Sequence, residues 1–211
     1  SDYVEMFLWR QWAEYSVSNQ IELAANAIRR ADPNATVMCH VGASTMFQDP
    51  ACDTSNDLLN SEKVDFYGTS LGVPMNPTTE YQFNEAFFLS SWLKRVNKNW
   101  WCQEFYTNQG PWWREAKPEY VEQAALMVIG TGCHGFTYWQ YRSERFGEES
   151  NGFGMRNIDG SATPRSIRCD KIANMIKSEG ADFAETCTPD SDVAIYFDPQ
   201  NQLLMRIQHM Q

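Results

Sequence analysis

Trp100-Trp101-Cys102-Gln103-Glu104-Phe105-Tyr106-Thr107-Asn108 runs directly into Gln109-Gly110-Pro111-Trp112-Trp113, and the reading of this stretch decides the fold. An apolar run that ends in one carboxylate, then breaks at Gly-Pro into two indoles, reads as a buried strand. It carries an acid to the mouth of an aromatic-lined pocket. In α/β barrels the chemistry sits where strands end, and a carboxylate beside sugar-sized aromatic platforms is what glycoside cleavage uses. Glu104 is the candidate catalytic residue; the plainer reading is a solvated glutamate at a strand end.

Helices and strands alternate on both sides of it. Phe7, Leu8, Trp12, Ile21, Ala24, Ala25 and Ile28 recur at helical spacing until Asp32-Pro33, which predicts one long amphipathic helix or two abutting ones over 3–30. Residues 35–41 read as a short buried strand and Val64-Asp65-Phe66-Tyr67-Gly68-Thr69-Ser70-Leu71 as the next. A helix over 80–96 carries Tyr81, Phe87, Phe88, Trp92 and Val96 on one side. After the Glu104 strand, Pro118 opens a helix that ends at Gly130, and 135–142 form a fourth strand followed by a polar loop. Thr163-Pro164 caps a helix over 165–178 with Ile167, Ile172 and Ile176 buried. Alternation of this kind means parallel strands joined by helical crossovers. The composition turns polar at Thr188-Pro189, where a domain boundary is expected, and Asp192-Val193-Ala194-Ile195-Tyr196-Phe197-Asp198-Pro199 reads as a buried strand beyond it. Residues 203–207 read as a second strand or a helix start.

The 211 residues suffice for a sizeable core, and 43% hydrophobic with 14% aromatic residues marks a packed chain with aromatics to spare for a site. A net charge of -10 would repel phosphates, so neither nucleic acid nor an anionic membrane is an expected partner; a neutral ligand fits better. The 6 cysteines form no CxxC pair and read as small buried hydrophobes. The first residue is Ser1, inside a helical pattern, as expected of a processed, engineered or truncated N-terminus.

Competing chemistry is weak. Cys39-His40 and Cys133-His134 are adjacent on strands, so within each pair the side chains face opposite ways and make no thiolate-imidazole contact. His40, His134 and His209 share no metal-ligand spacing. Asn84-Glu85 lies inside a helical pattern and reads as solvated. Trp9, Trp12 and Trp92 fit helix packing, whereas Trp112, Trp113, Trp139 and Tyr141 cluster at strand ends, where an indole face can stack on a pyranose.

The helix ending in Ala27-Ile28-Arg29-Arg30-Ala31-Asp32-Pro33, the strand Val64-Asp65-Phe66-Tyr67-Gly68-Thr69-Ser70, the Glu104 strand, Gln140-Tyr141-Arg142 and Asp192-Val193-Ala194-Ile195 together carry a family resemblance. On these residues the chain resembles the family 42 glycoside hydrolases, chiefly bacterial beta-galactosidases with a (β/α)8 catalytic barrel. The resemblance implies a partial (β/α)8 TIM barrel, strands 5 to 8, over 1–188, and the start of a second α/β, trimerisation-like domain over 189–211. It implies retaining hydrolysis of terminal beta-D-galactosides by double displacement, with Glu104 as nucleophile and Trp112 walling the sugar site. Trp113, Tyr141, Arg142, Glu148 and Glu149 are the further substrate-binding candidates. Gln140 and Arg142 match a family motif in which Tyr141 stands where tryptophan is usual, and Glu148 or Glu149 falls near a glutamate that binds sugar hydroxyls. The histidine expected a few residues later is not at the matching place. Tyr67 and Ser70 are candidates for orienting the nucleophile.

The family's acid/base glutamate follows an asparagine at the end of strand 4, in a segment that would precede Ser1. Its cysteine-ligated zinc belongs there too, so no metal and no cofactor is expected here. Retaining chemistry needs two carboxyls roughly 5 Å apart, and only one is visible, so the isolated chain is expected to be inactive. The implied partners are a galactoside or related saccharide, and either identical copies, a trimer by resemblance, or a missing N-terminal half; the implied location is cytoplasmic. The alternatives are another barrel glycosidase, acting on a different beta-glycoside or an arabinoside, and an inactive carbohydrate-binding or structural fragment.

Overall fold

A computed structural model describes residues 3–42, 44–45, 54–72, 80–97, 99–108, 115–150, 152–185 and 191–209, apart from the side chains of 80–83, 85–86, 185, 206–207 and 209. The order is α1 (Tyr3–Ala31), β1 (Met38–Val41), α2 (Asp57–Ser61), β2 (Phe66–Gly72), α3 (Glu80–Val96), β3 (Trp100–Tyr106), α4 (Pro118–Gly130), β4 (Phe136–Trp139), α5 (Pro164–Glu185) and α6 (Pro199–His209). The four strands form one sheet in the order β1-β2-β3-β4, every pair parallel. This is the expected alternation, with all strand ends pointing to one rim.

The core lies where the sheet meets its helices. Tyr67, Leu71, Trp100, Cys102 and Phe105 on the strands are buried against Leu89 and Leu93 of α3 and against α4. On α4 the buried residues are Val121, Ala124, Ala125 and Val128, the i, i+3, i+4, i+7 stripe that a helix needs to lie on a sheet. Burying each of its two valines contributes about 1.5–3 kcal/mol. Pro118 stands at the first turn of α4, where its missing N–H costs nothing. Thr163 and Ser166 cap α5 reciprocally: the Ser166 amide donates to Thr163 Oγ1 (3.1 Å) and the Thr163 amide to Ser166 Oγ (3.0 Å).

Besides β1, which at the sheet edge leaves Met38 and His40 exposed instead of buried, three expectations are corrected. Leu8, Trp9 and Trp12 of α1 are exposed, because the first half of that helix packs its polar side inward, and Ile28 near its end is exposed too. Arg10 and Glu14 form a buried ion pair (3.0 Å), Asn56 donates to Glu14 (2.8 Å), and Ser18 donates to the Leu59 carbonyl (3.1 Å). Ile167 is exposed as well, since the buried positions of α5 are Arg165, Ser166, Cys169 and Ile172. The third correction concerns the expected strand at the C-terminal end. Residues 193–198 are irregular, and Val193, Ile195 and Tyr196 are exposed. Asp198 accepts the Gln200 amide (2.9 Å) and Pro199 begins α6, so Asp-Pro here is a helix start rather than a strand end. Leu203 is buried and Phe197 meets the Trp92 ring edge-on at 5.0 Å. The expected domain boundary falls within 186–190, outside the described residues.

Candidate active site

Glu104 lies near the end of β3, with Ser70 of β2 as its cross-strand partner. Its Oε2 accepts the Ser70 hydroxyl at 2.6 Å and the Tyr106 hydroxyl at 2.9 Å. His40 of β1 completes the group, its Nε2 2.9 Å from Ser70 Oγ and 3.7 Å from Glu104 Oε2. The Glu104 side chain is 24% exposed, so it is walled yet open to a ligand. Among the described residues, Glu104 Oε1 has no hydrogen-bond partner.

The register that creates this contact depends on Gly68. Any Cβ there would stand 1.5 Å from the Trp101 carbonyl oxygen, and the β2–β3 pairing shifts between Gly68 and Ser70. That irregularity brings Ser70 opposite Glu104.

Tyr106 is held as a donor. Burial is the main cause that pushes its hydroxyl up to about 12; the neighbouring Ser70 hydroxyl pulls the other way, and the bond to Glu104 together with that carboxylate's charge pushes upward. Its ring packs at 5.2 Å from Phe153, and in the sheet it pairs with Trp139. Trp139 donates its indole N–H to Glu149 at 3.2 Å, which brings one loop acid beside this group.

Of the orienting candidates, Ser70 reaches Glu104 and Tyr67 does not. The Tyr67 hydroxyl donates to Asp57 at 2.7 Å. Asp57 is fully buried and also accepts Ser44 Oγ (2.5 Å), the Thr45 amide (3.0 Å) and Trp92 Nε1 (2.8 Å), a second carboxylate network that joins α2, β2 and α3. Tyr141, Arg142 and Glu148 are exposed on the loop after β4, and the Arg156 guanidinium lies 5.5 Å from the Tyr141 ring centre. Arg142 pairs with Arg156 through an isolated backbone bridge. Trp112 and Trp113 lie outside the described residues. Asn84 is exposed in the interior of α3, as its helical setting requires.

His40 and Tyr106 went unassigned in the sequence. Tyr106 is two residues past Glu104, on the same side of a strand, and that spacing was an available signal. His40 carried none, because its approach depends on register across two strand pairs. Among the described residues no group of three or more His, Cys, Asp or Glu could hold a metal ion.

A family model described as beta-galactosidase, that of glycoside hydrolase family 42, matches residues 4–178. No curated protein matches the chain. Among solved structures, the beta-galactosidase from the Antarctic haloarchaeon Halorubrum lacusprofundi is similar with a TM-score of 0.80 at 18% identity, over 99% of this chain and 32% of that one. The beta-galactosidase from the psychrophilic Marinomonas ef1 gives 0.77 at 15% identity, over 93% and 33%. A GH5_18 protein from Streptomyces cattleya, solved with GlcNAc, gives 0.64 at 14% identity, over 92% and 49%. The chain therefore spans about a third of the length of these two beta-galactosidases. At such identities the likeness concerns the fold, a four-stranded part of a (β/α)8 barrel.

Proposed function

Because this chain belongs to the family 42 glycoside hydrolases, we propose that it is the nucleophile-bearing part of a retaining enzyme that hydrolyses terminal beta-D-galactosides. The observation that supports this most is the one-sided loading of Glu104 among the described residues: two hydroxyl donors on Oε2 and none on Oε1. In the proposed reaction Oε1 attacks the anomeric carbon and the bond to the leaving oxygen breaks, giving a glycosyl ester. Water then displaces the carboxylate, with configuration retained. Ser70 and Tyr106 stabilise the carboxylate as it regains its charge in that second step.

Protonation of the leaving oxygen and activation of the water require a second carboxyl roughly 5 Å away. We assign it to the strands that would complete the barrel, so the isolated chain is proposed to be inert towards galactosides whose leaving group needs a proton. Trp112 and Trp113 are proposed to wall the sugar. Tyr141, Arg142, Glu148 and Glu149 are proposed to make its polar and edge contacts, with Glu149 oriented by Trp139. On the same reading residues 1–188 are barrel, 189–211 open the next domain, and the full enzyme is a cytoplasmic trimer.

The test is covalent trapping. A 2-deoxy-2-fluoro galactoside with an activated leaving group should leave an ester on the peptide containing Glu104. A label on any other residue ends the assignment.

A further inference from the structure

We propose that His40 is a positioning residue for Glu104: its Nε2–H donates to Ser70 Oγ, which commits the single proton of Ser70 to Glu104 Oε2. The inference rests on the reading of Glu104 as nucleophile.

Proton counting carries the argument. A serine hydroxyl has one proton and two lone pairs, and an ionised carboxylate only accepts. The 2.6 Å contact between Ser70 Oγ and Glu104 Oε2 therefore takes the serine proton. Towards His40 Nε2, at 2.9 Å, Ser70 can then only accept. The imidazole must carry its hydrogen on Nε2. His40, Ser70 and Glu104 come from three successive strands, so one chain of donors runs across the rim from β1 to β3.

The direction of that chain matters for catalysis. With His40 donating, the Ser70 proton has one favourable place to go, and Oε2 stays loaded. Without it, the hydroxyl can turn its proton elsewhere, Oε2 competes with Oε1, and the carboxylate loses its orientation towards the anomeric carbon. The group touches no substrate atom in this account; it acts through Ser70.

The experiment follows ester formation by the full chain with 2-deoxy-2-fluoro-galactosyl fluoride, whose fluoride leaves without needing a proton. Carbon–oxygen bond formation and carbon–fluorine cleavage can then be followed without the second carboxyl. His40→Leu and Ser70→Ala should each slow labelling of Glu104 roughly tenfold, and the double variant should be no slower than either. His40→Gln, whose amide N–H can stand where Nε2–H stood, should remain within about threefold of the parent. A His40→Gln variant as slow as His40→Leu, or losses that multiply in the double variant, would overturn the proposal.

A second measurement needs no reagent. Imidazole nitrogen-15 shifts should show His40 as the Nε2–H tautomer, with that preference lost in Ser70→Ala. A resting Nδ1–H tautomer overturns the relay whatever Glu104 does to the fluoride. An ester mapped to another residue, with the Nε2–H tautomer intact, overturns instead the nucleophile reading on which the catalytic role depends.

Discussion

An oxygen that already accepts two hydroxyl protons is a poor nucleophile, so on the proposed reading bond formation at Glu104 falls to Oε1. Exchange of the carboxylate for an amide leaves the shape and removes the charge. Glu104→Gln is expected to lower ester formation by more than about a thousandfold while leaving the thermal unfolding midpoint near that of the parent. Tyr106→Phe deletes one of the two donors and should cost roughly tenfold in the same assay, with the label still on Glu104. Because the Tyr106 hydroxyl stays protonated up to about 12, the gap between Tyr106→Phe and the parent should stay constant between pH 7 and 9. Glu104 was legible in the sequence because an apolar run terminated on it. Of the group around it, Ser70 was named and Tyr106 was within reach of strand spacing, whereas His40 was not, since it meets Ser70 and Glu104 only through strand register. Tyr67 looked equivalent to Ser70 in the sequence, but its ring serves Asp57 in the core.

Strand–helix alternation was legible from α1 to α5 except for the short α2, which fell in an expected loop, because hydrophobic spacing changes period at each transition and proline marks the starts of α4 and α5. What failed at this scale failed for local reasons. A continuous apolar stretch at 193–197 mimicked a buried strand, yet a strand is made by a partner, and Asp198 with Pro199 had already written a helix start. Two elements hold the site in place and can be tested by stability. Gly68→Ala forces a Cβ onto the Trp101 carbonyl, so a loss of about 1–3 kcal/mol in denaturant unfolding is expected, together with slower labelling of Glu104 as the register relaxes. Asp57→Ala strands four donors in the interior. It should cost at least about 3 kcal/mol, read as a lower urea midpoint at an unchanged slope.

For the molecule as a whole, pH and company decide stability. Burial is the leading cause that lifts Cys133 from 9.0 to about 12 and Cys169 from 9.0 to about 11, and Tyr106 rises from 10.0 to about 12. The unfolded chain sheds these protons first. Their contribution is therefore full below pH 9 and disappears as pH climbs through about 12, so the urea midpoint should hold from pH 7 to 9 and fall steeply by pH 11. Among the described residues β1 and β4 each pair with one strand only, so each stands at an edge of the sheet. Beyond β4 a cavity of about 700 Å³, lined by Phe136, Tyr138, Ile172, Ile176 and Phe183, continues that open flank. Mixing the chain with a polypeptide bearing the remaining strands of such a barrel should give a stoichiometric complex in sedimentation and turnover of an aryl galactoside; an inert mixture would count against a divided active site. The exposed aliphatic and aromatic strip of α1, Leu8, Trp12 and Tyr15, has a further consequence in the cell. Chaperones and proteases bind greasy, solvent-facing helices, so a partner that covers that strip would lengthen the life of each copy after synthesis.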